Sequence, residues 1–188
     1  MGLLVLTACA APPAVGRFER AGLRFGSVGI YAGKLSFESE PPEPDREFDF
    51  ESNGGLTFSY ESNFDDRLAG SIAMRYLTLD WTGPAGSSGD GDWLDASAGL
   101  RWYFTNARER HAIEPFVGLD VFALLRGNVG NDIESALGLS MGTGLLFWLH
   151  TDFAIDAQAK LLAARGAFTL SQPDYRAWAI EIAGSYWF

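Results

Sequence analysis

The 188-residue chain has no apolar run near the ~18 residues that a membrane-spanning helix requires. If it lies in a membrane, it crosses as strands. It has one cysteine, Cys9, so an internal disulfide is excluded. It has two histidines, His111 and His150, far from each other and from Cys9, without the spacing of a metal-ligand set. Positive charge is also scarce. Lys and Arg number 14 against 24 Asp and Glu, a net charge of −10, which argues against nucleic acid as a partner and against a basic membrane-surface anchor. Neither a helical segment nor a second domain is visible. Disorder is excluded too, because 47% of the residues are apolar and the mean hydropathy is +0.01.

Aromatic residues are abundant, at 14%, and so is glycine, at 22 residues; both suit many strands joined by tight turns. The last stretch, Tyr175 to Phe188, gives the key. Trp178, Ile180, Ile182, Tyr186 and Phe188 share one parity; Ala177, Ala179, Glu181, Ala183, Ser185 and Trp187 share the other. Strict period two over this length specifies a β-strand with one apolar face and one face of small or polar residues.

Upstream, from Leu23, seven more runs repeat the pattern. The first, about 23 to 38, places Phe25, Tyr31, Leu35 and Phe37 on the apolar face and Arg24, Lys34 and Glu38 on the polar one. Val28 and Ile30 then point inward, and Gly26, Gly29 and Gly33 are candidate bulge positions that would change the phase. The second, about 48 to 61, aligns Phe48, Phe50, Leu56, Phe58 and Tyr60 against Asp49, Glu51, Asn53, Thr57, Ser59 and Glu61. The third, about 68 to 81, opposes Ile72, Met74 and Tyr76 to Ser71, Ala73 and Arg75, with Leu77 and Leu79 on the polar parity. Runs near 93–104, 117–126, 136–149 and 152–164 put Asp95, Arg101, Asp120, Arg126, Asp156 and Lys160 on the same side as small residues. The punctuation is a Pro-rich loop at 41–45, a Gly/Ser/Asp loop at 83–91, loops at 127–132 and 166–174, and turns at 62–66, 106–114 and 150–151.

Alternation alone does not say which face is inside. A soluble lipocalin-like barrel encloses its apolar face; a transmembrane barrel turns that face to lipid. The polar parity here carries Gly, Ala and Ser rather than the Lys and Glu of a soluble surface, and a narrow lumen requires such small side chains. Trp102, Phe104, Phe147, Trp178, Tyr186 and Phe188 gather near the ends of the apolar face, as interfacial girdles do. A one-residue slip would turn Arg75, Arg101, Lys160, Asp120, Asp156 and Glu181 into lipid, at about 2–4 kcal/mol for each midplane cation. The expected fold is therefore all-β: an eight-stranded antiparallel up-and-down transmembrane β-barrel. Eight strands leave a lumen that side chains roughly fill. Buried charges must pair, so Arg75, Asp95, Arg101, Asp120, Arg126, Asp156, Lys160 and Glu181 are expected to form a lumen ionic network, with Glu61 on the same face.

The chain start, Leu6-Thr7-Ala8-Cys9, resembles the bacterial lipobox, which makes Cys9 a lipidation candidate; an ordinary cleaved signal peptide is the other reading. Either implies export. Residues 1–22 are read as export signal and tether, 23–188 as barrel. That barrel resembles the small bacterial outer-membrane families of the OmpA-transmembrane, OmpX and OmpW-like type. The resemblance rests on the eight alternating runs and on the ending Tyr186-Trp187-Phe188, which looks like the signal read by the barrel-assembly machinery. Where that signal prefers Gly five residues before the end, this chain has Ala183, with Gly184 next to it. The resemblance implies outer-membrane localisation, termini in the periplasm, and outer-membrane lipids and the assembly machinery as partners. It also implies a structural or narrow-pore role. No cofactor is expected. Catalysis is not expected either: barrel enzymes of the outer membrane use a histidine at the outer rim, and His111 and His150 both fall in turns on the opposite side. The alternative is an exported lipocalin-like lipid-binding barrel tethered through Cys9.

Overall fold

The computed structural model describes residues 17, 20–37, 46–109, 111–129, 132–133, 135–166 and 173–188, with the side chains at 28–30, 35, 37, 46, 53, 126–129, 132–133, 166 and 173 left aside. Cys9, Glu38 and the loop around Pro41 therefore lie outside the described residues, as do the side chains of Val28, Ile30, Leu35, Phe37, Asn53 and Arg126.

The strands are β1 (Ala21–Phe37), β2 (Arg46–Asn63), β3 (Leu68–Thr82), β4 (Ser88–Tyr103), β5 (Ile113–Val129), β6 (Asp132–Ile133), β7 (Ala136–Trp148), β8 (Phe153–Gly166) and β9 (Pro173–Trp187). Each long strand pairs antiparallel with its sequence neighbour, β9 pairs with β1, and β4 with β5, so eight strands close into a ring. The two-residue β6 only extends a hairpin at the end of β5. Closure leaves no edge strand in the ring, the one sheet arrangement compatible with lipid. The sequence reading contains no helix; the described residues include one 3-10 turn, Pro84–Gly86, in the β3–β4 loop. β1 starts at Ala21, two residues before the expected boundary, and is held by reciprocal backbone bonds between Ala21 and Phe188 of 3.1 and 3.0 Å.

The orientation of the wall is decided by exposure. Leu119, Leu139 and Ile180 are 57%, 56% and 39% exposed on the outside, whereas Asp156 and Lys160 are 1% and 8% exposed within. This is the reverse of a lipocalin-like barrel. The outward belt includes Met74, Leu100, Val121, Met141, Leu161 and Ile182. Such a surface is far more apolar than water tolerates on a soluble monomer.

Two bulges correct the expected phase. The β1–β9 register shifts between Val28 and Ile30, at one of the anticipated glycine positions. The β2–β3 register shifts between Ser52 and Gly54, where Gly54 takes a φ of 152° that a side chain would resist. One extra residue in a strand reverses the face of every residue beyond it. Tyr31, Phe48 and Phe50 are therefore buried in the lumen rather than on the apolar exterior, and Lys34, Asp49 and Glu51 point outward rather than in. Leu77 and Leu79 keep the inward parity and are buried.

The lumen is filled in three layers. Near the loop end, the rings of Phe50, Trp93 and Tyr175 stack, with centroids 4.8 Å apart for Trp93–Tyr175 and 5.5 Å for Phe50–Tyr175. Tyr31, Leu77, Leu79, Phe122 and Leu124 complete that layer. Near the terminal end, Tyr103, Phe116, Leu146, Trp148 and Trp187 form a second apolar layer. Charged side chains lie between the two.

Because the belt faces lipid, Leu119→Arg is expected to destabilise the folded protein by about 2–4 kcal/mol. The measurement is denaturant unfolding in lipid vesicles followed by tryptophan fluorescence, and a change under about 0.5 kcal/mol, the scale of an ordinary exposed surface substitution, would contradict the assignment.

Candidate functional site

Four cations hold the middle layer together. Arg75 on β3 reaches Glu181 on β9 across the lumen at 3.2 Å and Asp95 on the adjacent β4 at 3.8 Å. Lys160 on β8 lies 3.3 Å from Asp120 on β5 and 3.8 Å from Glu181. Closer to the termini, Arg101 on β4 pairs with Asp156 on β8 at 2.8 Å and with Glu61 on β2 at 3.5 Å. Arg24 on β1 pairs with the same two carboxylates, at 3.2 Å to Glu61 and in direct contact with Asp156.

Gln158 connects the two groups. Its amide donates to Glu181 Oε2 at 2.6 Å, and its carbonyl accepts from Arg101 Nη2 at 2.8 Å. Tyr103 donates its hydroxyl to Glu61 at 2.5 Å, and Ser140 donates to Asp120 at 3.1 Å. Small residues make the space. At Gly142, an added Cβ would stand 2.9 Å from Lys160 Cγ and 2.7 Å from the Ala159 carbonyl oxygen, so the lysine stem runs where a side chain would otherwise be. Arg101 also lies over the Phe116 ring, 4.3 Å from its centroid, which ties the ionic layer to the apolar layer beneath it.

Of the residues expected in the network, Arg75, Asp95, Asp120, Lys160 and Glu181 meet in one group, and Arg101 and Asp156 in the other. The side chain of Arg126 is outside the described residues. Two further cations were not singled out from sequence. Arg24 sits on the polar parity of the first run, which is the signal that could have found it. Arg17 precedes the repeat altogether. It is fully buried at the terminal end, paired with Glu114, bonded to Asn63 Oδ1 at 2.7 Å and seated 3.5 Å over the Tyr103 ring. Asn63 in turn donates to the Arg17 carbonyl at 2.7 Å, and Trp148 Nε1 donates to Glu114 at 3.0 Å. Arg20 follows it, donating to Thr151 O at 2.7 Å and to Asp152 at 2.7 Å. Two residues of the expected tether thus close the mouth of the barrel at this end.

The arrangement sets each buried cation beside at least one carboxylate. Among the described residues, no group of three or more His, Cys, Asp and Glu is placed to hold a metal ion. His111 and His150 lie in the turns after β4 and β7, at the end where the termini are, away from the ionic layer.

No protein-family profile matches the chain, and no curated protein matches it. Solved structures do. The outer membrane protein OprG from Pseudomonas aeruginosa aligns over 93% of this chain and 98% of its own, at 13% identity and a TM-score of 0.63. The outer membrane protein AlkL, determined in lipid bilayers, aligns over 95% and 94%, at 16% identity and 0.65. Neisserial surface protein A aligns over 88% and 96%, at 12% identity and 0.55. At these identities the likeness is one of fold. The chain has the closed-barrel fold of small outer-membrane proteins, and the lipocalin alternative is not favoured.

Asp156 compensates two buried guanidinium groups at once. Asp156→Ala is expected to cost about 3–5 kcal/mol in vesicle unfolding, because both cations lose a buried partner. Arg108→Ala removes an exposed pair with Asp66 and is expected to change stability by no more than about 1 kcal/mol.

Proposed function

We propose that this chain is an integral protein of the bacterial outer membrane whose role is structural, with a lumen closed to solutes. The observation that carries this reading is the inverted wall: an exposed apolar belt outside a core of paired charges. A water-soluble barrel of this composition would expose the belt to water and gain nothing from it, whereas lipid covers it at no cost. Closure follows from the layers. A solute would have to separate the stacked rings of Phe50, Trp93 and Tyr175, break the Arg75–Glu181 and Arg101–Asp156 pairs, and then displace Arg17.

The topology is part of the proposal. With an even strand number the termini share a side, and short turns face the periplasm in bacterial barrels. Both termini here lie with the β2–β3, β4–β5 and β7–β8 turns, so the other four connections face the cell exterior. The final Tyr186 and Phe188, outward and exposed, serve as the signal for the barrel-assembly machinery on this reading. Cys9 is the lipidation candidate if the lipobox reading of the leader holds. On this reading the role is non-catalytic: the two histidines sit in turns at the periplasmic end, where His111 lies 3.4 Å from Glu109 and His150 bonds the Thr151 hydroxyl at 3.0 Å, rather than at the outer rim.

Two measurements test the proposal. The protein should fractionate with the outer membrane and migrate differently on gels when unboiled. In planar bilayers it should give no conductance steps above the lipid baseline, and Glu181→Gln should leave that baseline unchanged. Recovery as a detergent-free soluble monomer would refute membrane residence; ion-selective steps altered by Glu181→Gln would replace the closed lumen with a narrow pore.

A further inference from the structure

The cage around Arg17 is built from strand ends. Asn63 is the last residue of β2, Tyr103 the last of β4 and Trp148 the last of β7, while Glu114 is the second of β5. The turns at this end bring all four to one rim of the ring, and Tyr103, Glu114 and Trp148 are buried there. A buried carboxylate needs a cation beside it. Among the described residues, Arg17 alone pairs with Glu114. Trp148 Nε1 donates to the other carboxylate oxygen at 3.0 Å and so fixes the group in place.

The cage fits a guanidinium rather than any cation. Arg17 donates from Nε to Glu114 and from Nη1 to Asn63 Oδ1 at 2.7 Å, two nitrogens of one planar fork. Its Cζ stands 3.5 Å from the centroid of the Tyr103 ring. An ammonium has one nitrogen and no flat face, so it cannot make all three contacts. The ring is itself held from below, because the Tyr103 hydroxyl donates to Glu61 of the ionic layer at 2.5 Å. The cage is thus fixed by the barrel, whereas its occupant stands outside the ladder: Arg17 precedes β1, which begins at Ala21. Asn63 Nδ2 donates to the Arg17 carbonyl at 2.7 Å. Arg20 adds a second hold, donating to Trp187 O at 2.5 Å and to Asp152 at 2.7 Å.

We propose that the mouth of the barrel at the terminal end is a guanidinium receptor that Arg17 occupies in cis. Glu114 and Asn63 accept its hydrogen bonds, Tyr103 covers its face, and Arg20 positions the segment beside the Ala21–Phe188 backbone pair, so that the occupant latches the start of β1 to the end of β9. With Arg17 withdrawn, the cage keeps its carboxylate and its ring and takes an alkylguanidinium group from solution. The site does not depend on which side of a membrane the termini occupy.

The test uses the full chain with Arg17→Ala, refolded in detergent micelles with isotope-labelled tryptophan and checked by the unboiled gel shift. The probe is ethylguanidinium, the group that the substitution removes; ethylammonium is the control of equal charge. The readout is hydrogen exchange of the Trp148 indole N–H, assigned by Trp148→Phe. Arg17→Ala should speed that exchange about tenfold, because the bond to Glu114 is then open to water. Ethylguanidinium should reverse the change along a saturable curve and ethylammonium should not. Glu114→Gln in the same background should abolish the saturable response. Unchanged exchange in Arg17→Ala, no reversal by ethylguanidinium, equal reversal by ethylammonium, or a response that survives Glu114→Gln each overturns the site. Arg17→Lys gives a second measurement, since it keeps the charge and most of the stem. Its exchange should be close to that of Arg17→Ala, and exchange as slow as in the unaltered chain overturns the selectivity for guanidinium. Arg17 lies outside the ladder, so the ring of strands should close in both variants.

Discussion

Charge burial is the constraint on which the structure depends. Period two in each strand forces alternate side chains to opposite sides of a closed wall, and lipid accepts only one of the two sets. Arg24, Arg75, Arg101 and Lys160 must then be enclosed, and an enclosed cation is tolerable only beside a carboxylate. Glu61, Asp120, Asp156 and Glu181 meet that need from other strands, at 3.2 to 3.5 Å for Arg24–Glu61, Arg75–Glu181, Lys160–Asp120 and Arg101–Glu61. The pairing runs across the lumen as well as around the wall, so the ionic layer braces opposite sides of the ring. A register slip in any one strand would remove a partner here and put a charge into lipid outside. The two penalties act in the same direction, which is why the register is well specified despite many small residues.

The architecture was legible from parity because the lipid-facing side is chemically uniform. Leu119, Leu139, Ile180 and their neighbours follow an unbroken odd–even count within each strand. The loop-end layer was not legible in the same way. Phe48 and Phe50 share parity with Leu56, Phe58 and Tyr60, and nothing in counting reveals that one residue near Gly54 is extra. The adjacent glycines at 54 and 55 were the available signal. In the first strand, Gly29 lies at the shift and Tyr31 inverts with it. Leu77, Leu79, Trp93, Phe122 and Leu124 carried a further hint: apolar side chains on the polar parity of three strands, all toward one end. They are the walls of an aromatic and aliphatic plug, a grouping that strand-by-strand periodicity does not assemble.

The terminal closure was invisible for a different reason. Arg17 belongs to no alternating run, so no face could be assigned to it. Its position depends on a pocket built from Asn63, Tyr103 and Glu114 on three strands, a juxtaposition that exists only once the barrel closes. Gln158 is similar. As a neutral residue on the polar parity it drew no attention, yet its amide joins two ionic groups because it can donate to one side and accept from the other. Local pattern fixes which way a side chain points; it does not fix what stands opposite.

The central claim concerns which set of side chains meets lipid. Nitroxide labels placed singly at positions 119, 139 and 180, in a Cys9→Ser background and in vesicles, test it most directly by their relaxation with oxygen, which concentrates in lipid, and with a water-soluble nickel chelate. The account predicts strong relaxation by oxygen and negligible relaxation by nickel at all three. Strong nickel relaxation with weak oxygen relaxation at those positions would contradict it.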